Sequence, residues 1–462
     1  MKTKYKIIVN TVCLILLALL YSCKKQDAFL NEKPVASLST IATLSDCQLL
    51  LQNEGVLNQN DPALGEMSTD DFYLLSSSFN SLNTVPEKNS FIWAKTIYAA
   101  GVSDPDFTDA YNIAYIANTI LDALPNIPVS ANQQTLSNTI KGTALFFRAI
   151  AFYNVVQTFA MPYDSVSATT ELGVPLPLTS DVNAKVTRAS EGDCYNQIIN
   201  DLITAANLLP ANTLYVTAPS QTAAYGALAR VFLGMSSYGN ALKYANLCLS
   251  QNSQLTDYNT IVPTTISLIA RSKFFPEDIF HTSLLTYGEI RTAFSAITDS
   301  TLFNSYGNND LRKSLFFVIK NGLPYFRGTY DNRGSCYSGI ATDEIYLVRA
   351  ECNARIGNTG TAMTDLNTLL SKRWKTGTFI PFTATSADNA LQQILLERRK
   401  ELIFRGLRWT DLRRLNKESR FAITLTRVIN GTTYTLPPND PRYAFPFPDP
   451  EIQLTGIPQN QR

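Results

Sequence analysis

The sequence has little of what catalysis usually draws on. It holds one histidine, His281, and three tryptophans, Trp93, Trp374 and Trp409, in 462 residues. No Gly-x-Ser-x-Gly elbow and no Gly-x-x-x-x-Gly-Lys-Ser/Thr loop occurs, so the nucleophile turn of an α/β-hydrolase and the phosphate cradle of a P-loop are both missing. The seven cysteines include no Cys-x-x-Cys pair and no metal-ligand spacing. No disulfide framework is expected, and Cys194, Cys248 and Cys352, on helical patterns, read as small buried apolar groups. Neither sign of charge is in excess: 39 Lys+Arg against 38 Asp+Glu leave a net +1. That balance argues against nucleic acid or acidic lipid held by bulk electrostatics.

His281 follows Phe280 in a predicted strand from Pro276 to Leu285, where a core histidine is expected rather than a base. Asp104, Asp106 and Asp109 give Asp-x-Asp-x-x-Asp, which does not match calcium-loop spacing. No metal and no cofactor is expected. Glycoside hydrolysis needs only two carboxylates, and Asp70-Asp71 is the most suggestive pair. Adjacent side chains rarely converge on one bond, so these two read as surface or sugar-bonding groups, and the chain reads as not an enzyme. With three tryptophans a tryptophan-lined sugar platform is not available either. Tyrosine, present 22 times beside 24 phenylalanines, would have to serve.

What is present begins with an export signal. Lys2, Lys4 and Lys6 precede an apolar run from Ile7 to Leu20, too short for a spanning helix. Leu20-Tyr21-Ser22-Cys23 resembles a bacterial lipobox, which implies a signal peptide at 1–22 and an acylated Cys23. Two or three acyl chains anchor firmly where one does not. No Asp follows Cys23, so the outer membrane is the expected destination, with a polar tether at 23–45. An ordinary cleaved signal with an incidental Cys, or an uncleaved anchor, is the plainer alternative.

Helical periodicity then dominates. Asp109–Leu124, Thr139–Phe159 and Arg188–Pro210 are predicted helices. Thr222–Leu249 and Thr342–Leu370 share one layout of helix, turn and helix. Placing Ala241 over Ala362 puts Ala229 on Ala350 and Ser236 on Gly357. Such helix pairs of about 34 residues are tetratricopeptide-like. The pairs 139–159 with 191–208, and 388–405 with 408–416, would bring the stack to about four. The expected fold is mostly α, a tetratricopeptide-like helix-pair solenoid with a large irregular, insertion-rich lobe carrying a few short strands. Asn58–Ser90 reads as an aromatic-bearing loop. Ser250–Ile340 lacks a strong helix but holds Tyr287, Phe294, Phe303, Tyr306, Tyr325 and Tyr330. In the tail Pro446, Pro448, Pro450 and Pro458 argue against helix.

Leu391–Leu415, LQQILLERRKELIFRGLRWTDLRRL, interleaves six arginines and a lysine with Glu397, Glu401 and Asp411. A buried ion-pair helix is expected, with Glu401 pairing Arg405 across one turn and Gly406 as the stop. Glu397 to Arg414, ER-x-x-EL-x-F-x-G-x-RW-x-DL-x-R, resembles the C-terminal signature of the SusD/RagB family, with Arg405 where Glu is common. The lipobox, the Arg148 helix with its Gln-Thr-Phe exit, Asn308–Arg312 and the tail YAFPFPDPEIQLTGIPQNQ agree in order, so the resemblance spans almost the whole chain. It implies a single domain over 46–462, with a helix-pair scaffold near 139–250 and 341–416. A loop-rich ligand lobe would lie near 58–105 and 250–340, and an extended tail at 430–462. It further implies a surface-exposed, lipid-anchored outer-membrane protein. Such a protein binds oligosaccharide, or peptide as RagB-type members do, and caps a TonB-dependent SusC-like barrel as its lid. The contact residues so implied are Asp70, Asp71, Phe72, Tyr73, Trp93, Tyr287, Tyr306 and Tyr325. A surface glycan-degrading enzyme and a cytoplasmic adaptor are weaker alternatives; the second conflicts with the leader.

Overall fold

The amphipathic segments set the frame. The computed structural model describes residues 41–269, 274–288, 290 and 295–462. The signal peptide, Cys23, most of the tether and Phe294 lie outside them. The principal helices are α1 (Pro105–Ala123), α2 (Gln134–Phe159), α3 (Glu191–Leu208), α4 (Gln221–Gly234), α5 (Tyr238–Gln251), α6 (Thr342–Arg355), α7 (Thr359–Ser371), α8 (Ala387–Glu401) and α9 (Arg408–Leu415). Side-chain caps start several of them: Asp104 on the Asp106 N–H, Ser190 on Asp193, Ser220 on Ala223.

The α2/α3, α4/α5 and α6/α7 pairs pack as neighbours, α1 packs on α2, and α5 joins α6. The aligned alanines Ala229, Ala241, Ala350 and Ala362 are all fully buried, so close approach of paired helices is their common role. The alignment holds even at the turns. Ser236 (φ 57°) and Gly357 (φ 87°) both occupy the left-handed region, which glycine adopts freely and serine does not. Leu44–Arg462 forms one compact unit with a large apolar core and a smaller one among α6, α7 and α8.

Four expectations change. Helix α8 ends at Glu401, not at Gly406, because Phe404 (φ 57°) and Gly406 (φ 70°) turn the chain. Glu401 therefore does not pair with Arg405; it binds Arg312 (2.9 Å) and Arg373 (2.6 Å), while Arg405 binds Asp343 (2.6 Å). After that turn α9 is directed to α4 and to Leu64–Met67. The 58–90 loop contains short helices, Leu64–Met67, Ser76–Asn80 and Val85–Phe91. The tail forms a helical turn at Asp449–Thr455, since a proline in the first turn needs no hydrogen bond from its nitrogen.

The strands are short. Phe72–Tyr73 (β1), Ile297–Thr298 (β2), Phe317–Lys320 (β3) and Leu323–Phe326 (β4) form an antiparallel sheet in the order β1-β2-β4-β3. Leu425–Ile429 (β5) and Thr432–Leu436 (β6) form a hairpin over Asn430-Gly431, both at positive φ, as a tight primed turn requires.

Candidate aromatic surface and groove

Residues opposite one another in an antiparallel sheet point to the same face. Tyr73 faces Ile297, Ile297 faces Tyr325, and Tyr325 faces Val318. Tyr73 and Tyr325 therefore lie in one row, two strands and roughly 10 Å apart. Both are half-buried, and the Lys320 ammonium stands 5.3 Å from the Tyr325 ring centre. The opposite face carries Phe72 and Phe326, and both pack on Phe404, at 5.7 and 4.8 Å between ring centres. The strained turn after α8 thus underlies the sheet.

Beside β1 a groove of about 300 Å³ is lined by Asp70, Phe72, Tyr73, Trp93, Asp299 and Arg427, among others. Arg427 comes from β5. Its guanidinium lies 3.7 Å from the Phe91 ring centre and 4.6 Å from that of Trp93, and it donates to the backbone oxygens of Met67, Thr69 and Phe91. Burial lowers its pKa to about 9. Sequence reasoning missed this residue, although the Asn430-Gly431 hairpin signal was there to find it.

The eight implied contact residues separate into groups. Asp70 is clamped by Arg408 and reached by Arg399 at 3.1 Å, and Asp71 accepts from Arg399 at 2.8 Å. Against the cost of burial, Arg408 and Arg399 hold the Asp70 carboxyl below its usual range; burial and then the neighbouring Asp70 push that of Asp71 up. Trp93 is 2% exposed, sits at φ 54° and donates its Nε1–H to the Ser68 oxygen at 2.9 Å. It and Phe72 are groove walls. Tyr287 and Tyr306 are enclosed elsewhere. The Tyr287 hydroxyl donates to Asp106 at 2.6 Å, and that of Tyr306 to the Lys400 oxygen at 2.8 Å. With their hydroxyls committed and their rings in the core, these two do not belong to the row that carries Tyr73 and Tyr325.

Among the described residues no group of three His, Cys, Asp or Glu side chains is arranged to hold a metal. Of the Asp-x-Asp-x-x-Asp carboxylates, Asp104 and Asp106 face inward and Asp109 is partly exposed. Asp106 accepts from the backbone of Leu64 at 2.7 Å and from Tyr287, and burial raises Asp104 to about 8 and Asp106 to about 6. His281 lies between Asp278 (2.6 Å) and Asp331 (3.6 Å), which raise it to about 9 in spite of burial. No helix among the described residues is long and apolar enough to cross a membrane.

Comparison with known proteins agrees with this architecture. A SusD-like family described as starch-binding and associating with the outer membrane matches residues 28–233, and the SusD family matches 342–461. A SusD superfamily protein of Bacteroides thetaiotaomicron is 22% identical with a TM-score of 0.73, over 91% of this chain and 100% of that one. A SusD-like carbohydrate-binding protein of Bacteroides vulgatus is 19% identical with a TM-score of 0.67, over 90% and 97%. A laminarin-binding SusD-like protein is 16% identical with a TM-score of 0.64, over 91% and 99%. No curated sequence matches. The two family matches lie at either end of one fold, that fold is shared along nine-tenths of the chain, and the chain belongs to the SusD/RagB family.

Proposed function

We propose that this protein is a non-catalytic, lipid-anchored carbohydrate-binding protein of the outer membrane. It holds an oligosaccharide against Tyr73 and Tyr325 and along the Asp70–Trp93 groove. It then passes the ligand to a TonB-dependent SusC-like barrel, for which it acts as lid. The observation that carries the reading is the alignment of Tyr73, Ile297 and Tyr325 in one row. Sugar rings present apolar C–H faces to aromatic rings and hydroxyls to polar groups at the rim. The family's starch-binding description and the laminarin-binding relative support glycan as the ligand class. The outer-membrane description, with the lipobox-like Leu20–Cys23, supports the anchor.

The test is retention of soluble protein, starting after Cys23, in gels containing laminarin, starch and other glycans, beside a peptide panel. Retardation by a glycan, reduced in Tyr73→Ala and Tyr325→Ala, is the expected result. Binding of peptides alone would replace glycan by peptide as ligand. Turnover of the bound polymer would make the protein an enzyme.

A further inference from the structure

Arg405 stands between two residues of left-handed backbone, Phe404 and Gly406. Phe404 carries a Cβ and adopts that conformation at a cost, which marks the turn as held by its surroundings. Arg405 points inward and is 6% exposed. Its guanidinium lies 4.9 and 4.7 Å from the ring centres of Tyr330 and Tyr337, and Nη1 donates to Asp343 at 2.6 Å. Nε and Nη2 have no partner. These two nitrogens are the side-on fork of the guanidinium. Elsewhere in the molecule the same fork grips a carboxylate: Arg148 on Asp201, Arg230 on Glu344, and Arg349 on Asp365.

The open fork belongs to a residue lining a cavity of about 50 Å³, together with Glu66, Tyr153 and Trp409. Glu66 Oε1, the Tyr153 hydroxyl and Trp409 Nε1 also lack partners, in residues at most 4% exposed. Trp409 is fixed by Tyr443, 4.8 Å away between ring centres, and by Gly65, where a Cβ would come within 2.9 Å of the indole. Buried polar atoms are almost always satisfied. Five unsatisfied ones in four residues that line a single cavity therefore call for an occupant. Arginine, tryptophan and tyrosine supply donors, and burial followed by the nearby Asp71 raises the Glu66 carboxyl to about 8, so it too holds a proton at neutral pH. Asp61 and Arg230 line the cavity too but are already taken, Asp61 by Asn154 and Ser338 and Arg230 by Glu344, so an occupant that accepts hydrogen bonds fits the open donors. Water accepts singly; two coplanar oxygens match the fork. Half-buried Asn154, Gln157 and Thr410 also line the cavity.

We propose that this cavity is a carboxylate-binding site, with the anion held by Nε and Nη2 of Arg405 and hydrogen-bonded by Trp409 Nε1 and the Tyr153 hydroxyl. It is separate from the Tyr73–Tyr325 surface and does not depend on the glycan reading. The carboxylate is that of a small free acid or the charged end of a larger ligand. The test is ¹⁹F NMR of soluble protein, starting after Cys23, with 5-fluorotryptophan at its three tryptophans. Trp409→Phe assigns the signal. Sodium acetate and sodium glucuronate are titrated separately against sodium chloride at matched ionic strength. The Trp409 signal should move saturably with a carboxylate and not with chloride. Arg405→Lys keeps the charge facing Asp343 but removes the fork, and should weaken the response about tenfold or more. A response to acetate identifies a small acid, and one to glucuronate alone identifies the end of a larger ligand. A Trp409 signal unmoved by both acids, or moved equally by chloride, overturns the proposal, as does Arg405→Lys binding like the wild type. If that variant does not fold, crystals of the wild type grown in acetate decide: a planar anion on the fork supports the site, and waters alone overturn it.

Discussion

Arg408 takes Asp70 with both prongs of its guanidinium, Nε to Oδ1 at 2.7 Å and Nη2 to Oδ2 at 2.9 Å. One residue opens α9 and the other precedes the strand that carries Tyr73, 338 positions earlier. The clamp fixes that strand to the scaffold. Arg408→Met leaves a poorly exposed carboxylate short of its main counter-charge and should cost about 3–5 kcal/mol, read from the urea midpoint. The double variant Arg408→Met/Asp70→Leu should recover most of that loss, because no charge is then stranded.

Tyr73→Ala and Tyr325→Ala change half-buried rings and should reduce glycan retention by about tenfold while shifting stability little. Tyr306→Phe should do the reverse. It removes only the hydroxyl donated to the Lys400 oxygen, costing about 1 kcal/mol, with retention unchanged. Titration of both variants against one glycan, beside thermal melts, checks the contrast.

His281 has its folded pKa raised to about 9 from an ordinary 6.5. The folded state binds the extra proton, so its contribution is fully present below about pH 6.5 and lost as pH rises through 9. Melting temperature should fall across that window, and His281→Gln should flatten the fall.

Asp104 runs the same way for a different reason. Its carboxyl is buried, its Oδ2 has no partner, and its pKa is raised from 3.8 to about 8. The folded state keeps a proton that the unfolded chain releases near pH 4, so stability declines as pH rises from there towards 8. Asp104→Asn keeps the oxygen that caps the Asp106 N–H and removes the titration. It should be more stable than the wild type at pH 8 by about 1–3 kcal/mol and close to it at pH 5.

The helix pairs were legible because their signal is local. Apolar spacing and small residues set the contacts between neighbouring helices, and even the left-handed turn at Ser236 could be placed by aligning it on Gly357. The sorting of tyrosines was not legible. Tyr287 is spent on Asp106, 181 positions away, and Tyr306 on the Lys400 oxygen, 94 away. Nothing around either tyrosine distinguishes it from Tyr73 or Tyr325. The signature's buried charge was readable as composition, but its pairing was not. Once α8 stops at Glu401, that carboxylate takes Arg312 and Arg373 from distant segments and Glu397 shares Arg312, while Glu397 keeps Lys400 and Asp411 keeps Arg414 one turn on.

Glu401 is shared between Arg312 of the irregular lobe and Arg373 beyond α7, and neither arginine has exposed side-chain surface. A carboxylate held in common makes the lobe a poor unit of exchange. Replacing 250–340 by the equivalent stretch of another protein without an arginine at the matching place would leave Glu401 with Arg373 alone and Glu397 with Lys400 alone. The β5–β6 hairpin offers a better graft. It reaches the groove through Arg427, whose guanidinium rests on backbone oxygens and rings rather than on a carboxylate. Altered ligand preference is thus most readily engineered from the hairpin inward, leaving the shared charge untouched.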